Sequence, residues 1–256
     1  MFPLVVTPKG MKDFYLGLVE NSLKTRDPNG DVDFIMQVFL KMFSGKMTPQ
    51  QIASLYASFI DAALTTSGSF ICASLYELAL HPEMQERLRQ EIYGIKDDLT
   101  YDNLKEYEYL ENVVIETLRL HHSDAQISRL CEKDYYIEKW DLTIEEGVLV
   151  IVPNNAFQMD PDNFPNPETF DPDRFSDPEL LKNISPVTFM PFGLGNRNCI
   201  AGDFGKILYK LTVLELVKNF EFSVGKSTEV PLKYQPLELR MPDHKVYLKV
   251  SSINNF

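Results

Sequence analysis

The chain has no apolar run of eighteen residues, no CxxC pair and no block of basic residues. Each absence removes a class of function. Without a long apolar run no membrane span is expected, and nothing after Met1 reads as a signal peptide. Without CxxC a structural zinc site is not expected. The three cysteines, Cys72, Cys131 and Cys199, lie too far apart to suggest a disulfide framework, which favours reduced thiols on the cytosolic side. Lys and Arg number 25 against 37 Asp and Glu, for a net charge of -12. Such a chain lacks the basic face that nucleic acid requires, so no nucleic-acid partner is expected. What is present is a core: 44% hydrophobic residues over 256 positions allow one large domain or two ordinary ones. The opening Phe2, Leu4, Val5 and Val6 read like an internal segment of a larger protein.

Helix punctuation is clear. Thr48, Pro49 and Gln51 give an N-cap, a first-turn proline and a reciprocal glutamine, and His81-Pro82 ends the pattern. The predicted helix Pro49–Leu80 is about 48 Å long and apolar on several sides, so it should cross the middle of a domain. Its centre, Thr65 to Ser69, is rich in hydroxyls that compete for backbone carbonyls. A second helix opens at Pro82, with Glu83 and Arg87 paired one turn apart, and stops at Gly94. A third covers 110–120. Strands are predicted over Tyr135–Ile137, Leu142–Ile144 and 148–152. Residues 153–198 read as one long loop region dense in Pro, Asn and Asp, a helical period returns from Ile200, and short strands follow at Phe220–Val224 and 246–250. The result is a mainly α chain with small β-sheets.

Cys199 stands apart from the other two thiols. It just precedes a helix N-terminus and follows Arg197 by two residues, and both features favour thiolate, the form that ligates metals. Gly193 and Gly195 let the backbone approach a flat object over the sulfur. The pair is not a dinucleotide fingerprint, because no strand precedes it and the third glycine is missing.

Residues 192–201, FGLGNRNCIA, resemble the haem-binding signature of the cytochromes P-450, with Phe192, Gly195, Arg197, Cys199 and Ala201 at the signature's spacing. The resemblance implies haem b with Cys199 as the axial thiolate on iron and Arg197 against a haem propionate. Arg129 is similar in place to a second propionate contact. Glu116-Thr117-Leu118-Arg119 resembles the family's ExxR, and Arg174, in a segment resembling its PERF sequence, would complete a Glu116–Arg119–Arg174 cluster. Glu86 to Arg89 also spells ExxR, but its polar context reads as a solvated helix face. The long helix is similar to the family's I helix. There Thr66 takes the place of the threonine that delivers protons during oxygen activation, and a locally opened helix would make room for oxygen and water. The family's acid is replaced by Thr65; Asp61, one turn earlier and within about 40°, could compensate through water. Asp203 puts an acid where relatives usually carry a base.

The resemblance implies a haem-thiolate monooxygenase acting on a small apolar substrate, with electrons from NADPH through a reductase. It further implies a place on the cytosolic face of the endoplasmic reticulum membrane, and the tail is similar to the insect detoxification branch. It covers the C-terminal half of the family's fold, so 1–256 is expected to be one partial domain: a Cys-ligand loop before the last long helix, with the N-terminal half and its membrane contact absent. A haem-thiolate isomerase or lyase needing no reductase, and a non-catalytic truncated chain, are the alternatives. Of the remaining features, His121-His122 reads as a solvated or packed pair, His81 and His244 as turn residues, and Phe157, Phe164, Phe170 and Phe175 as packing anchors.

Overall fold

The computed structural model describes residues 9–25, 35–95, 99–123, 126–234, 242 and 245–253. The opening residues 2–6 and His244 lie outside the described residues. Eight α-helices, with short 3-10 turns and three two-stranded antiparallel sheets, make up the described residues. They fall into two compact units, one ending at Thr66 and one beginning at Ser67.

In the first unit, α1 (Lys9–Thr25), α2 (Ile35–Phe43) and the start of α3 (Pro49–Leu80) bury Val19, Leu40 and Ile52 together, ringed by Tyr15, Phe39, Tyr56 and Phe59. The predicted cap of α3 is present in both directions. Gln51 Oε1 accepts from the Thr48 N–H at 2.9 Å, and Thr48 Oγ1 accepts from the Gln51 N–H at 3.2 Å.

The second unit is built on α4 (Pro82–Gly94), α5 (Glu108–Leu120) and α8 (Gly202–Asn219). Leu88, Leu110, Val113, Val114, Val213 and Val217 have no exposed surface and form its core, with Leu78 from the last turns of α3. Helix α5 starts without a cap of its own. Instead both carboxylate oxygens of Glu91, on α4, accept from the Tyr109 and Leu110 N–H groups at 2.7 and 2.9 Å. A negative charge over free N–H groups at a helix start satisfies them and complements the dipole. Gln85 joins three elements, since its amide donates to the Leu78 and Phe222 carbonyls and accepts from the Phe222 N–H.

The small sheets pair β1 (Ile127–Leu130) with β4 (Leu149–Val152), β2 (Tyr135–Ile137) with β3 (Leu142–Ile144), and β5 (Phe220–Val224) with β6 (Leu248–Ser252). Strand β1, which has no alternating pattern of its own, is defined by its partner.

Several expectations need correction. Residues 153–198 are not one loop: they hold α6 (Asn154–Gln158), α7 (Pro178–Asn183) and a 3-10 turn at Pro172–Ser176. Asp171 and Asp177 cap the latter two by accepting from the Asp173 and Glu179 N–H groups, each just ahead of a proline suited to a first turn. Helix α3 does not open at its centre and is not buried there, for Asp61 to Leu64 are exposed. It is also the single helix among the described residues long and apolar enough, by length and composition, to cross a membrane. Counting uninterrupted runs missed it because Ser and Thr dilute a stretch that Ala, Leu, Phe and Ile dominate. The 86–89 ExxR is a solvated face only in part, with Glu86 and Arg87 exposed and Arg89 turned inward. The Arg89 guanidinium donates to the Val217 and Phe220 carbonyls and to Gln85, docking α4 on the end of α8. Arg87 pairs with Asp173 at 2.6 Å rather than with Glu83, because its side chain reaches across Tyr109.

Candidate functional site

The stretch before α8 is shaped by three backbone bonds. Gly193 N–H donates to Met190 O at 2.9 Å, Asn198 N–H to Gly195 O at 3.1 Å and Cys199 N–H to Phe192 O at 2.8 Å. The turns between them require left-handed backbone at Gly193 (φ +73°) and Gly195 (φ +74°), which a side chain would strain. The loop thereby turns Cys199 outward. Its thiol is free and exposed, in a shallow hollow shared with Phe192, Asn198, Ile200, Asp203 and Lys206. Apolar side chains flank it uncovered: Ile200 is 93% exposed, Phe204 67% and Leu194 43%.

These residues fit a flat, apolar, iron-bearing ring. A thiol suits a metal as a soft ligand. The two glycines clear the approach, and the bare Leu194 and Ile200 are surfaces that such a ring would cover. Arg197 ends the 3-10 turn Gly195–Arg197, is exposed and makes no ion pair among the described residues. Arg129, on β1, is likewise exposed and donates to its neighbour's carbonyl, Ser128 O, at 2.8 Å. Ala201 is the N-cap position of α8 and offers no side-chain cap. Thr66 lies within α3, and its hydroxyl donates to Ala62 O at 2.8 Å. The helix is continuous through this point, and the hydroxyl shares the Ala62 carbonyl of its own helix. Asp61, one turn before Thr65, is exposed.

Glu116, Arg119 and Arg174 come together in the interior. The Glu116 carboxylate receives Arg119 Nε at 2.7 Å, Arg119 Nη2 at 2.8 Å, Arg174 Nε at 3.3 Å and the Asp171 N–H at 3.0 Å. Two guanidinium groups on one carboxylate would repel if nothing else held them. Backbone carbonyls do so: Arg119 also donates to Gln158 and Thr169, and Arg174 to Pro165, Asn166 and Thr169. The cluster therefore fixes the chain from α6 to the 172–176 turn onto α5.

Sequence reasoning missed a second buried set. Glu77, near the end of α3, holds His121 Nε2 at 2.6 Å, while the other His121 nitrogen meets the Tyr234 hydroxyl. His81 Nδ1 lies 3.6 Å from the second Glu77 oxygen, and its ring stacks on Phe170. His122 is 1% exposed and contacts Arg119 O. His121 and His122 are thus packed, one of the two readings given for that pair, while His81 is half-buried at the junction of α3 and α4. A signal existed, in that Glu77 and His81 are one turn apart on an apolar helix end. Of the phenylalanines read as packing anchors, Phe164, Phe170 and Phe175 are buried.

Comparison with known sequences agrees with this geometry. Residues 6–250 match the sequence model of the family described as cytochrome P450. The chain is 36% identical to the probable cytochrome P450 6a14 of Drosophila melanogaster over 270 residues, covering 97% of this chain and 53% of that protein. It is 34% identical to cytochrome P450 3A29 of Sus scrofa, covering 96% of this chain and 51% of the relative. With cytochrome P450 3A5 of Homo sapiens the identity is 38% over 79% of this chain and 40% of the relative. The chain thus spans about half the length of the relatives it matches. On the family match and these identities together, the chain belongs to the cytochrome P450 family.

Proposed function

We propose that this chain is the haem-binding C-terminal half of a haem-thiolate monooxygenase domain, with Cys199 as the ligand to the iron of haem b. The observation that carries the reading is the free Cys199 thiol, turned outward by the Gly193 and Gly195 turns between uncovered apolar side chains. When bound, haem supplies a thiolate-ligated iron that favours oxygen activation. The chain's own residues hold and orient it. Phe192 and Gly195 shape the loop, Ala201 opens the following helix, and Arg197 and Arg129 are the cations for the two propionates. Glu116, Arg119 and Arg174 keep the supporting segments in place. Thr66, whose hydroxyl donates to Ala62 O, would be the residue that hands on a proton during oxygen activation. Electrons come from NADPH through a reductase, and the substrate is a small apolar molecule that gains one oxygen atom while the other leaves as water. The site of action is the cytosolic face of the endoplasmic reticulum membrane.

A second reading, a haem-thiolate isomerase or lyase that needs no reductase, is supported by Thr65 in the acid's place and by the commitment of the Thr66 hydroxyl to Ala62 O.

The deciding experiment is the reduced, carbon-monoxide-bound difference spectrum of the haem-reconstituted chain beside a Cys199→Ser variant. A strongly red-shifted Soret band that vanishes in the variant supports thiolate ligation. A band indifferent to the variant, or none, rejects a competent site in this chain and leaves a non-catalytic piece of an oxygenase. If the band forms, NADPH- and reductase-dependent turnover distinguishes the monooxygenase from the isomerase.

A further inference from the structure

Glu77, His121 and Tyr234 form a carboxylate–imidazole–phenol chain within the second unit. A carboxylate only accepts, so the His121 Nε2 atom 2.6 Å from Glu77 Oε1 carries a hydrogen. In the neutral ring the other nitrogen, Nδ1, is then a bare acceptor, and the Tyr234 hydroxyl donates to it. The two rings stand 5.9 Å apart at 39°, and a backbone bridge to Pro242 holds Tyr234 in place. The Glu77 and His121 side chains are buried, and Tyr234 is half-buried.

Oxidation of a phenol requires this order of groups. A phenol gives up an electron readily only when its proton leaves too, because the cation radical otherwise formed is a very strong acid. Here a base already lies against the hydroxyl. A proton arriving at Nδ1 makes an imidazolium that faces the Glu77 carboxylate, and that opposite charge offsets the cost of a cation held away from water. Tyr76, edge-on to His121 at 6.5 Å, is the competing phenol, and burial, then Glu77, pushes its pKa up, so it holds its proton. Tyr136 donates to Asp141 at 2.8 Å and Tyr93 to Lys218 O at 2.6 Å. A carboxylate is a weaker base than imidazole, however, and a carbonyl takes no proton. His81, 3.6 Å from the second Glu77 oxygen, and Glu229, paired with Lys233, are the further titratable groups beside the chain of contacts.

We propose that Tyr234 is a reversible one-electron redox site, with His121 as its proton acceptor and Glu77 as the group that holds His121 in that role. In the step the Tyr234 Oη–H bond breaks. The electron passes to an outer-sphere one-electron oxidant, which is reduced, and the proton passes to His121 Nδ1, leaving a neutral phenoxyl radical beside an imidazolium. Return of one electron sends the proton back. An electron needs no cleft to reach the phenol, so the site is independent of the thiol loop and of haem.

The test is oxidation of the chain by photogenerated tris(bipyridyl)ruthenium(III), with the tyrosyl radical followed by absorbance and electron paramagnetic resonance. The expected result is a fast phase that slows in deuterated water, is lost in Tyr234→Phe and persists in Tyr136→Phe. Gln at 121 still accepts a hydrogen bond but takes no proton, so His121→Gln should slow the phase by about a hundredfold, the lower end of what a positioned base contributes. Circular dichroism verifies that each variant is folded. In the unsubstituted chain a nitroso spin trap and peptide mapping should place the adduct on Tyr234, a readout that needs no variant. A fast phase kept in Tyr234→Phe, a rate unchanged in His121→Gln, or an adduct on another tyrosine overturns the proposal.

Discussion

Glu77 Oε1 lies 2.6 Å from His121 Nε2, joining the end of α3 to the residue that closes α5. Both side chains are 7% exposed, so neither is solvated enough to lose its partner cheaply. The Tyr234 hydroxyl on the other ring nitrogen extends the chain of contacts to a distant segment. Truncation by His121→Ala leaves a buried carboxylate and a phenol short of a partner. The expected cost is about 1–3 kcal/mol. Urea denaturation measures it, and His121→Gln, which restores one donor, should recover part of the loss. If the Ala and Gln variants unfold at the same midpoint, the contact is packing alone.

Arg119 and Arg87 give opposite expectations for two arginine–carboxylate pairs. Arg119 and Glu116 have no exposed side-chain surface, while Arg87 and Asp173 are each more than half exposed. Removing one partner of a buried pair leaves an uncompensated charge, so Arg119→Ala should cost roughly 3–5 kcal/mol. The exposed pair is screened by water, and Asp173→Asn should cost about 1 kcal/mol or less. Arg174→Ala should approach the first value, since that guanidinium also holds three carbonyls of the preceding loop. Equal losses from Arg119→Ala and Asp173→Asn would contradict this assignment.

Burial pushes the Tyr109 phenol up from 10 to about 12, with the Arg87 guanidinium 4.0 Å above the ring pulling the other way. The fold therefore favours the neutral phenol. In the unfolded chain the phenol ionises first, so this contribution is whole below pH 10 and is lost as pH rises toward about 12. Alkaline denaturation followed by phenolate absorbance should show a late-titrating component near pH 12 that is lost in Tyr109→Phe. The variant should also lose less stability across that interval. An identical alkaline slope in both proteins would place the late proton elsewhere.

Near-neighbour chemistry made much of this protein readable without coordinates. The Thr48–Gln51 box, the Pro82 start and the Gly94 stop of α4 depend on hydrogen bonds and dihedral limits within one turn. The turns around Gly193 and Gly195 are likewise local, which is why a candidate ligand loop could be named from residues 192–201. The Glu116–Arg119 spacing is a helical repeat and so was legible too. Which of two ExxR sequences is buried was suggested by the apolar residues around one of them, but what Arg89 does was not. Its acceptors, Val217 O and Phe220 O, lie far along the chain, and no pattern around residue 89 encodes them. Tertiary packing likewise decided that Glu91 caps another helix and that Glu77 meets His121. Sequence determined which groups are available and which turns the backbone can make. Only the packed chain decided which buried charge found a partner, because that choice depends on residues brought together from distant parts of the chain.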